Sequence, residues 1–263
     1  MTSGDADPVL ITSAANPQIK LMRSLGRRKA RQAERAFLVE GRRLVEDAAR
    51  YGRIRLLLAR DDVPQPWLDA RELDPARIRR VRSDVFDSAS EVEHAQGIAA
   101  ICELPESDAF APVDREMVLI LDRVRDPGNL GTALRSAAAA GIRVVLTTRG
   151  TVDPFSPKVV RAGMGAHFRL ALSPASQQAL SRIVGTGRDI VHADAGAAMV
   201  YTEYSWRDAA ALVVGGETEP LSAELAEIVN QTVAIPMRAG MDSLNAGVAA
   251  SVLLFEVQRQ DRI

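Results

Sequence analysis

The chain has 263 residues, of which 47% are hydrophobic and 25% charged, with a formal net charge of −1. This composition is typical of a globular protein with one or two cores and excludes a generically basic nucleic-acid binder. No apolar run reaches the length of a membrane span, and the N-terminal sequence lacks a secretion-signal pattern. The lone cysteine, Cys102, cannot form an internal disulfide, which favours a cytoplasmic protein. The three histidines are isolated from one another, so no metal site is predicted.

Residues 9–103 alternate between helical and strand patterns and predict a small α/β domain, preceded by a disordered tail at 1–8. Its predicted elements are a basic helix, a strand at 37–39, a helix through 44–49, and strands at 54–59 and 97–102. Residues 104–116 are rich in proline and acid without periodicity, which predicts a linker. Residues 117–263 are predicted to form a second, α/β domain.

Positive charge is concentrated in two clusters of the first domain. The first lies around the basic helix and contains Lys20, Arg23, Arg27, Arg28, Lys29, Arg31 and Arg35. The second contains Arg77, Arg79, Arg80 and Arg82. Each pattern fits a solvated surface as well as it fits contact with the phosphates of RNA, for which localised positive charge supplies affinity.

Residues 117–149 predict a βαβ unit. The continuous apolar run at 117–121 is typical of a strand buried on both faces, as in a parallel sheet, and a second buried strand is predicted at 142–146. Turn-forming residues at 126–129 precede a helix that ends at Gly141. Arg135, six residues after Asn129, is expected on the first turns of that helix, near the carboxyl edge of the sheet where ligands of such folds collect.

A third buried strand is predicted at 212–214, followed directly by Gly215, Gly216 and Glu217. Adjacent glycines allow a ligand to approach the backbone closely. By itself the pattern is equally that of an ordinary turn at the end of a strand.

Residues 233–260 predict a strand, a loop and a long helix. The apolar run ends in Ile235-Pro236-Met237, and Ser243 or Asn245 is placed to cap the helix that follows. The apolar residues that share one helix face are Leu244, Val248, Val252 and Phe255. The free N–H groups at such a helix start can hold a polar or anionic ligand.

Two long segments, DPGNLGTALRSAAAAG and IPMRAGMDSLNAGVAASVLLFE, resemble motifs of the SpoU/TrmH family of S-adenosylmethionine-dependent RNA ribose 2′-O-methyltransferases, within the SPOUT superfamily. The segment DPFSPKVVRAGMGAHFRL at 153–170 is also similar to that family. More weakly, ITSAANPQIK and FLVEGRRLVEDA resemble its L30e-like substrate-binding domain. The resemblance thus covers most of the chain.

This resemblance implies a C-terminal parallel-sheet SPOUT domain with a deep trefoil knot, an RNA-binding L30e-like domain and a homodimer. It implies that S-adenosylmethionine is bound, largely through backbone, at Gly215, Gly216, Ile235, Met237 and Leu244. It implies catalytic roles for Arg135, Asn129, Glu217, Ser243 and Asn245. Arginine stays protonated in proteins, so Arg135 is expected to hold a phosphate and stabilise the emerging 2′-alkoxide rather than to act as a base. The expected RNA contacts are Lys20, Arg23, Arg27, Arg28, Lys29 and Arg31.

The sequence departs from the family pattern at two places. Thr218 and Pro220 stand where glycines are common, and Gly163 replaces a more usual serine. Proline restricts its own φ and the residue before it, so the first departure bears on the shape of the cofactor loop.

The predicted function is 2′-O-methylation of structured RNA, with 23S ribosomal RNA as the favoured substrate. Two alternatives stay open: a transfer-RNA methyltransferase, and a non-catalytic RNA-binding assembly factor that keeps the fold. A dinucleotide-dependent oxidoreductase is disfavoured because no G-x-G-x-x-G pattern follows the first strand of the βαβ unit.

Overall fold

The computed structural model describes residues 10–51, 53–71, 73–92, 94–106, 116–216, 219–238 and 241–261. The chain divides into two compact units, the first comprising Met1–Leu104 with Phe155–Pro157 and the second Pro105–Pro154 with Lys158–Ile263. Most of the predicted linker and the predicted N-terminal tail lie outside the described residues. None of the described helices is long and apolar enough to cross a membrane.

The first unit is built on a four-stranded sheet in the order β1-β4-β2-β3. Its elements are α1 (Pro17–Ser24), α2 (Arg28–Glu34), β1 (Ala36–Glu40), α3 (Arg42–Arg50), β2 (Ile54–Arg60), α4 (Gln65–Asp69), β3 (Ile78–Val81), α5 (Ser83–Asp87) and β4 (Ile98–Glu103). The predicted basic helix is therefore two helices, separated by a turn at 25–27. α1 begins where the Asn16 side chain accepts a hydrogen bond from the Gln18 N–H (2.8 Å), with proline at the first helical position.

The second unit contains a six-stranded sheet in the order β10-β8-β9-β5-β6-β7, and every neighbouring pair is parallel. Its elements are β5 (Val118–Asp122), α6 (Pro127–Ala140), β6 (Val144–Thr147), α7 (Pro157–Gly163), β7 (Ala171–Pro174), α8 (Gln177–Val184), β8 (Asp189–Ala193), β9 (Ala209–Gly215), α9 (Ala223–Ala226), β10 (Gln231–Val233) and α10 (Ala246–Asp261). The predicted βαβ unit and parallel sheet are confirmed. Because all strands run the same way, their carboxyl ends meet at one edge.

The ends of α6 follow from local capping chemistry. The Asp126 side chain accepts a hydrogen bond from the Asn129 N–H (2.8 Å) at the start of the helix. Gly141 ends it with a φ of 86°, as predicted, since this left-handed conformation favours glycine.

The boundaries around α10 differ from the sequence prediction. β10 ends at Val233, two residues before Ile235, and the helix begins at Ala246, so Leu244 lies in the preceding loop. The face predicted from Val248 and Phe255 is not buried in the chain, since these side chains are 44% and 47% exposed. The buried face consists of Ala246, Gly247, Ala250, Leu253, Leu254, Glu256 and Val257. The first part of that face, Ala246, Gly247 and Ala250, consists of small residues, and α6 approaches it closely at Gly247.

The contact between α6 and α10 depends on a missing side chain. A Cβ on Gly247 would lie 2.8 Å from the Asn129 carbonyl oxygen and 3.1 Å from the Thr132 Cβ. Only glycine allows backbones to approach so closely. Further along the interface the Ser136 and Ser251 hydroxyls are hydrogen-bonded at 2.7 Å. This packing fixes the starts of both helices beside one another.

A buried histidine explains one departure from the family pattern. A Cβ on Gly163 would lie 2.8 Å from the His167 Cε1, so a serine at this position would displace the imidazole. The His167 ring is 6% exposed, and its Nε2 donates a hydrogen bond to the Pro154 carbonyl oxygen at 2.7 Å. Burial lowers the pKa of His167 from 6.5 to about 4, so the ring is neutral at pH 7.

The shifted pKa of His167 predicts a loss of stability in acid. Between pH 6.5 and about 4 the unfolded chain binds a proton at this residue and the folded chain does not, so the free energy of unfolding falls as pH falls. The expected contribution is about 3 kcal/mol by pH 4. Urea unfolding at pH 7 and pH 4 measures it, with His167→Gln as the non-titrating control. An equal loss in both proteins would contradict the assignment.

Candidate functional site

Asp122, the last residue of β5, joins the carboxyl ends of several strands. Its side chain is 1% exposed and accepts hydrogen bonds from the Thr148 hydroxyl (2.6 Å) and the Ser222 N–H (2.8 Å). Its carbonyl oxygen accepts the Gly216 N–H (2.8 Å). Thr148 follows β6, whereas Gly216 and Ser222 flank the loop after β9. The buried carboxylate therefore fixes that loop against the neighbouring strand ends.

Arg123 holds the same loop from outside. Its guanidinium donates hydrogen bonds to the Glu219 carboxylate (2.9 Å) and to the Pro220 carbonyl oxygen, while Arg125 forms a second ion pair with Glu219 at 2.5 Å. Gly216 passes so close that a Cβ there would lie 2.7 Å from the Arg123 carbonyl oxygen. The loop shape thus requires glycine at 216 and is compatible with proline at 220.

A cavity of about 440 Å³ opens beside this loop at the carboxyl edge of the sheet. Its lining includes all five residues predicted to bind the cofactor: Gly215, Gly216, Ile235, Met237 and Leu244. Ser243, predicted as catalytic, lines it as well. The volume is within the range of small-molecule sites, and the wall mixes apolar side chains with backbone polar groups. The structure therefore brings residues from two distant segments of the chain to one concave surface.

Asn129 and Asn245 meet where α6 and α10 begin. The Asn245 amide donates a hydrogen bond to the Asn129 Oδ1 at 2.6 Å. The Asn245 Oδ1 accepts from the Gly247 N–H (3.0 Å) and the Val248 N–H (3.2 Å), which confirms Asn245 as the cap of α10. Both asparagines are thus held in place, and both expose polar atoms.

Arg135 lies in the third turn of α6, further along than the sequence pattern predicted. Its side chain is exposed and forms no hydrogen bond or ion pair with another residue in the described ranges. Its guanidinium is therefore available to an external anion. The predicted catalytic residue Glu217, like Thr218, lies outside the described residues.

Sequence reasoning missed the contribution of β8 to this cavity. Residues 192–195, which include His192 and Asp194, form part of its wall. Burial lowers the pKa of His192 below its ordinary value of 6.5, against the opposing effect of Asp194 and Asp122. The imidazole is therefore neutral at pH 7 and does not repel a cationic ligand. The strand pattern at 189–193 was the only available signal, because neither residue stands in a recognisable motif.

The predicted RNA contacts separate into exposed and buried residues. Lys20, Arg23, Arg27, Arg28 and Lys29 are exposed. Arg31 is 3% exposed, and its Nη1 donates hydrogen bonds to the carbonyl oxygens of Leu25 (2.7 Å) and Gly26 (2.9 Å). Arg31 is therefore left out of the proposed RNA surface, because its guanidinium is buried against carbonyls at the end of α1.

The second basic cluster also has a structural role. Arg77 donates to the Ile54 carbonyl oxygen (2.8 Å), Arg80 donates to the carbonyl oxygens of Arg60 and Val63, and Arg82 pairs with Asp84 at 2.5 Å. Arg79 bonds to carbonyl oxygens of its own segment. These charges hold the edge of the first unit together. No group of three side chains suited to a metal ion occurs within the described ranges.

Comparison with known proteins extends over nearly the whole chain. The model of the SpoU rRNA Methylase family matches residues 116–255, and that of an MRM3-like substrate binding domain matches residues 16–100. The 23S rRNA (guanosine(2553)-2′-O)-methyltransferase RlmP of Bacillus subtilis is 31% identical over 94% of this chain and 98% of its own length. The mitochondrial rRNA methyltransferase 3A of Danio rerio is 32% identical over 94% of this chain and 69% of its own length.

One of the similar solved structures contains the bound cofactor. The AdoMet-bound rRNA methyltransferase from Sinorhizobium meliloti superposes with a TM-score of 0.84 at 31% identity. The match covers 95% of this chain and 97% of that one, so both units have counterparts in it.

Proposed function

Because the chain belongs to the SpoU rRNA methylase family, we propose that it transfers a methyl group from S-adenosylmethionine to a ribose 2′-oxygen of 23S ribosomal RNA. The observation that carries this proposal is the cavity at the carboxyl edge of the sheet. It unites Gly215 and Gly216 with Ile235, Met237 and Leu244, and the Asn129–Asn245 pair lies at the helix starts of the same unit.

The residues of the cavity fit S-adenosylmethionine. Apolar side chains such as Ile235 and Leu244 suit a nucleoside base, and the exposed backbone of Gly215 and Gly216 suits its polar edges. The bound cofactor supplies an electrophilic methyl group on a positively charged sulfur. A neutral His192 adds no positive charge to this surface, which favours a cationic ligand.

Arg135 provides positive charge beside the attacking 2′-oxygen. Its guanidinium stays protonated, so it stabilises the negative charge that develops at the 2′-oxygen as the hydroxyl proton passes to solvent water, and it holds the neighbouring phosphate. Asn129, Asn245 and Ser243 orient the ribose through their amide and hydroxyl groups. Attack of an anionic oxygen on a cationic donor removes charge, so a partly dry site and accurate positioning account for much of the acceleration.

The first unit binds the RNA. Its exposed cations Lys20, Arg23, Arg27, Arg28 and Lys29 form a local positive surface on a chain whose net charge is −1. Phosphate neutralisation by such a surface provides affinity without sequence selection. Ribosomal RNA is favoured over transfer RNA because both curated relatives described above are rRNA methyltransferases. A 23S ribosomal RNA substrate, as named for the Bacillus subtilis relative, would place the protein in the cytoplasm.

The assembly that we propose is a homodimer with a trefoil-knotted second unit. Val248 and Phe255 lie seven residues apart on α10, hence on one face, and are exposed on the single chain. A second copy would cover this apolar face. For the knot, support comes from the family likeness.

Arg135→Ala is expected to separate chemistry from binding. The variant should keep its affinity for S-adenosylmethionine and its dimeric state, because neither the cavity nor the exposed face of α10 includes this residue. Loss of a donor aimed at developing charge should lower the methyl-transfer rate by about 10²–10³. Arg135→Lys should recover little, since a point charge does not reproduce the planar fork.

The assay for Arg135 is transfer of labelled methyl to 23S ribosomal RNA, with calorimetry and sedimentation as controls. Transfer at the wild-type rate by the alanine variant would contradict this role. Transfer RNA as the better acceptor would revise the substrate. A wild-type protein that binds RNA but neither binds nor uses the cofactor would identify an assembly factor instead.

Replacing Arg27, Arg28 and Lys29 with alanine should weaken RNA binding and flatten its salt dependence. For each phosphate that the variant no longer neutralises, the slope of log K against log salt should fall by roughly 0.7–0.9. Affinity for S-adenosylmethionine should not change. The matched control is Arg82→Ala, because Arg82 is already paired with Asp84. An unchanged slope in the triple variant would assign these residues to the solvated surface.

A further inference from the structure

The carboxylate of Asp194 is the unassigned polar group of the cavity. Asp194 directly follows β8, and its N–H donates to the Val233 carbonyl oxygen at 2.9 Å, which anchors its backbone between β8 and β10. Its Oδ1 accepts a hydrogen bond from the Gly196 N–H, also at 2.9 Å. The side chain is therefore held in one orientation by its own turn while lining the cavity.

Asp194 differs in its partners from the other carboxylate described in the cavity wall. Glu219 is committed to Arg123 and Arg125. The Oδ2 of Asp194 accepts no hydrogen bond from the part of the chain that the structure describes, and a carboxylate offers about four acceptor positions. Asp194 is exposed at the cavity wall and thus keeps acceptor capacity for a ligand bound there.

The sheet order places Asp194 away from the reacting groups. Asn129 follows β5 and Asp194 follows β8, with β9 between them. Two strand spacings amount to about 10 Å. The cavity wall that includes Asp194 also contains apolar side chains, among them Val233, Val214 and Leu221, which suit a nucleoside base. The group next to a bound base is its ribose, whose vicinal hydroxyls are paired donors for a carboxylate.

We propose that Asp194 holds the ribose hydroxyls of the S-adenosyl group and thereby selects a ribonucleoside in the cavity. The inference rests on the proposed function, since it assumes that S-adenosylmethionine occupies this cavity. Asp194 is a binding residue that fixes the nucleoside end, while Arg135 and the asparagine pair act at the other end. Its contribution should be independent of the charge on the cofactor sulfur.

Calorimetry with full-length Asp194→Asn tests the proposal against three ligands. The first is S-adenosylmethionine itself. The second, S-adenosylhomocysteine, lacks the sulfonium charge. The third, 5′-methylthioadenosine, lacks both that charge and the amino-acid part. Asparagine can still accept the Gly196 N–H, so the turn is preserved. Loss of a charged acceptor should weaken all three alike, by about tenfold or more. The control is Asp208→Asn, an aspartate at the amino end of β9, which should change none of them.

The 2′-deoxy form of methylthioadenosine completes the test by competition against S-adenosylhomocysteine. The wild type should bind the ribo form about tenfold more tightly, and Asp194→Asn should bind both forms equally. If the variant binds only S-adenosylmethionine more weakly, Asp194 interacts with the sulfonium. If it binds S-adenosylmethionine and S-adenosylhomocysteine more weakly but methylthioadenosine as before, Asp194 interacts with the amino-acid part. Either result overturns the proposal. Unchanged affinities also overturn it. A wild type that binds none of the ligands would instead refute the proposed function.

Discussion

The buried carboxylate of Asp122 is the constraint from which the site is built. Removing a charge from water is costly unless the charge is well hydrogen-bonded, and here the Thr148 hydroxyl and the Ser222 N–H supply those bonds. These donors come from segments that follow β6 and β9, on either side of β5. Satisfying one carboxylate therefore determines the relative position of three strand ends.

The cavity is a consequence of this arrangement. With Ser222 and Gly216 tied to Asp122, the loop between them can be held from outside by Arg123 through Glu219 and Pro220. Gly215, Gly216 and residues 219–221 then form one part of the cavity wall. Close packing of α10 on α6 across Gly247 supplies the opposite part of the site and brings the two asparagines within hydrogen-bonding distance. Cofactor binding thus depends on the contacts around Asp122, whereas the proposed chemistry depends on the packing of α10 against α6.

Sequence patterns predicted the parts of this structure that local chemistry decides. The continuous apolar run of β5, the glycine that ends α6 and the asparagine cap of α10 are readable because each depends on residues close in the chain. The side of α10 that packs inward was not readable. Apolar residues occur on two of its faces, and the choice depends on Gly247 meeting Asn129, more than a hundred residues away. The burial of Arg31 could not be predicted from the sequence either, because an arginine near a helix end can either bind carbonyl oxygens or face solvent.

The residues proposed to bind the cofactor were predicted from the family likeness, and the structure adds two residues of the cavity wall that the likeness did not include. His192 and Asp194 have no motif around them, and only the strand order places β8 next to β9 and β10. Pro220 departs from the family pattern, but it is held through its carbonyl oxygen and tolerated at its position in the loop.

The most direct test of this account is the affinity of Asp122→Ala for S-adenosylmethionine, measured by calorimetry beside the wild type. Removing the carboxylate leaves the Ser222 N–H and the Thr148 hydroxyl without their acceptor, so the loop after β9 should lose its fixed shape. We predict at least a tenfold loss of affinity in a protein that still folds cooperatively. The milder Asp122→Asn, which keeps one acceptor, should lie between the alanine variant and the wild type. Wild-type affinity in a folded Asp122→Ala protein would contradict the account.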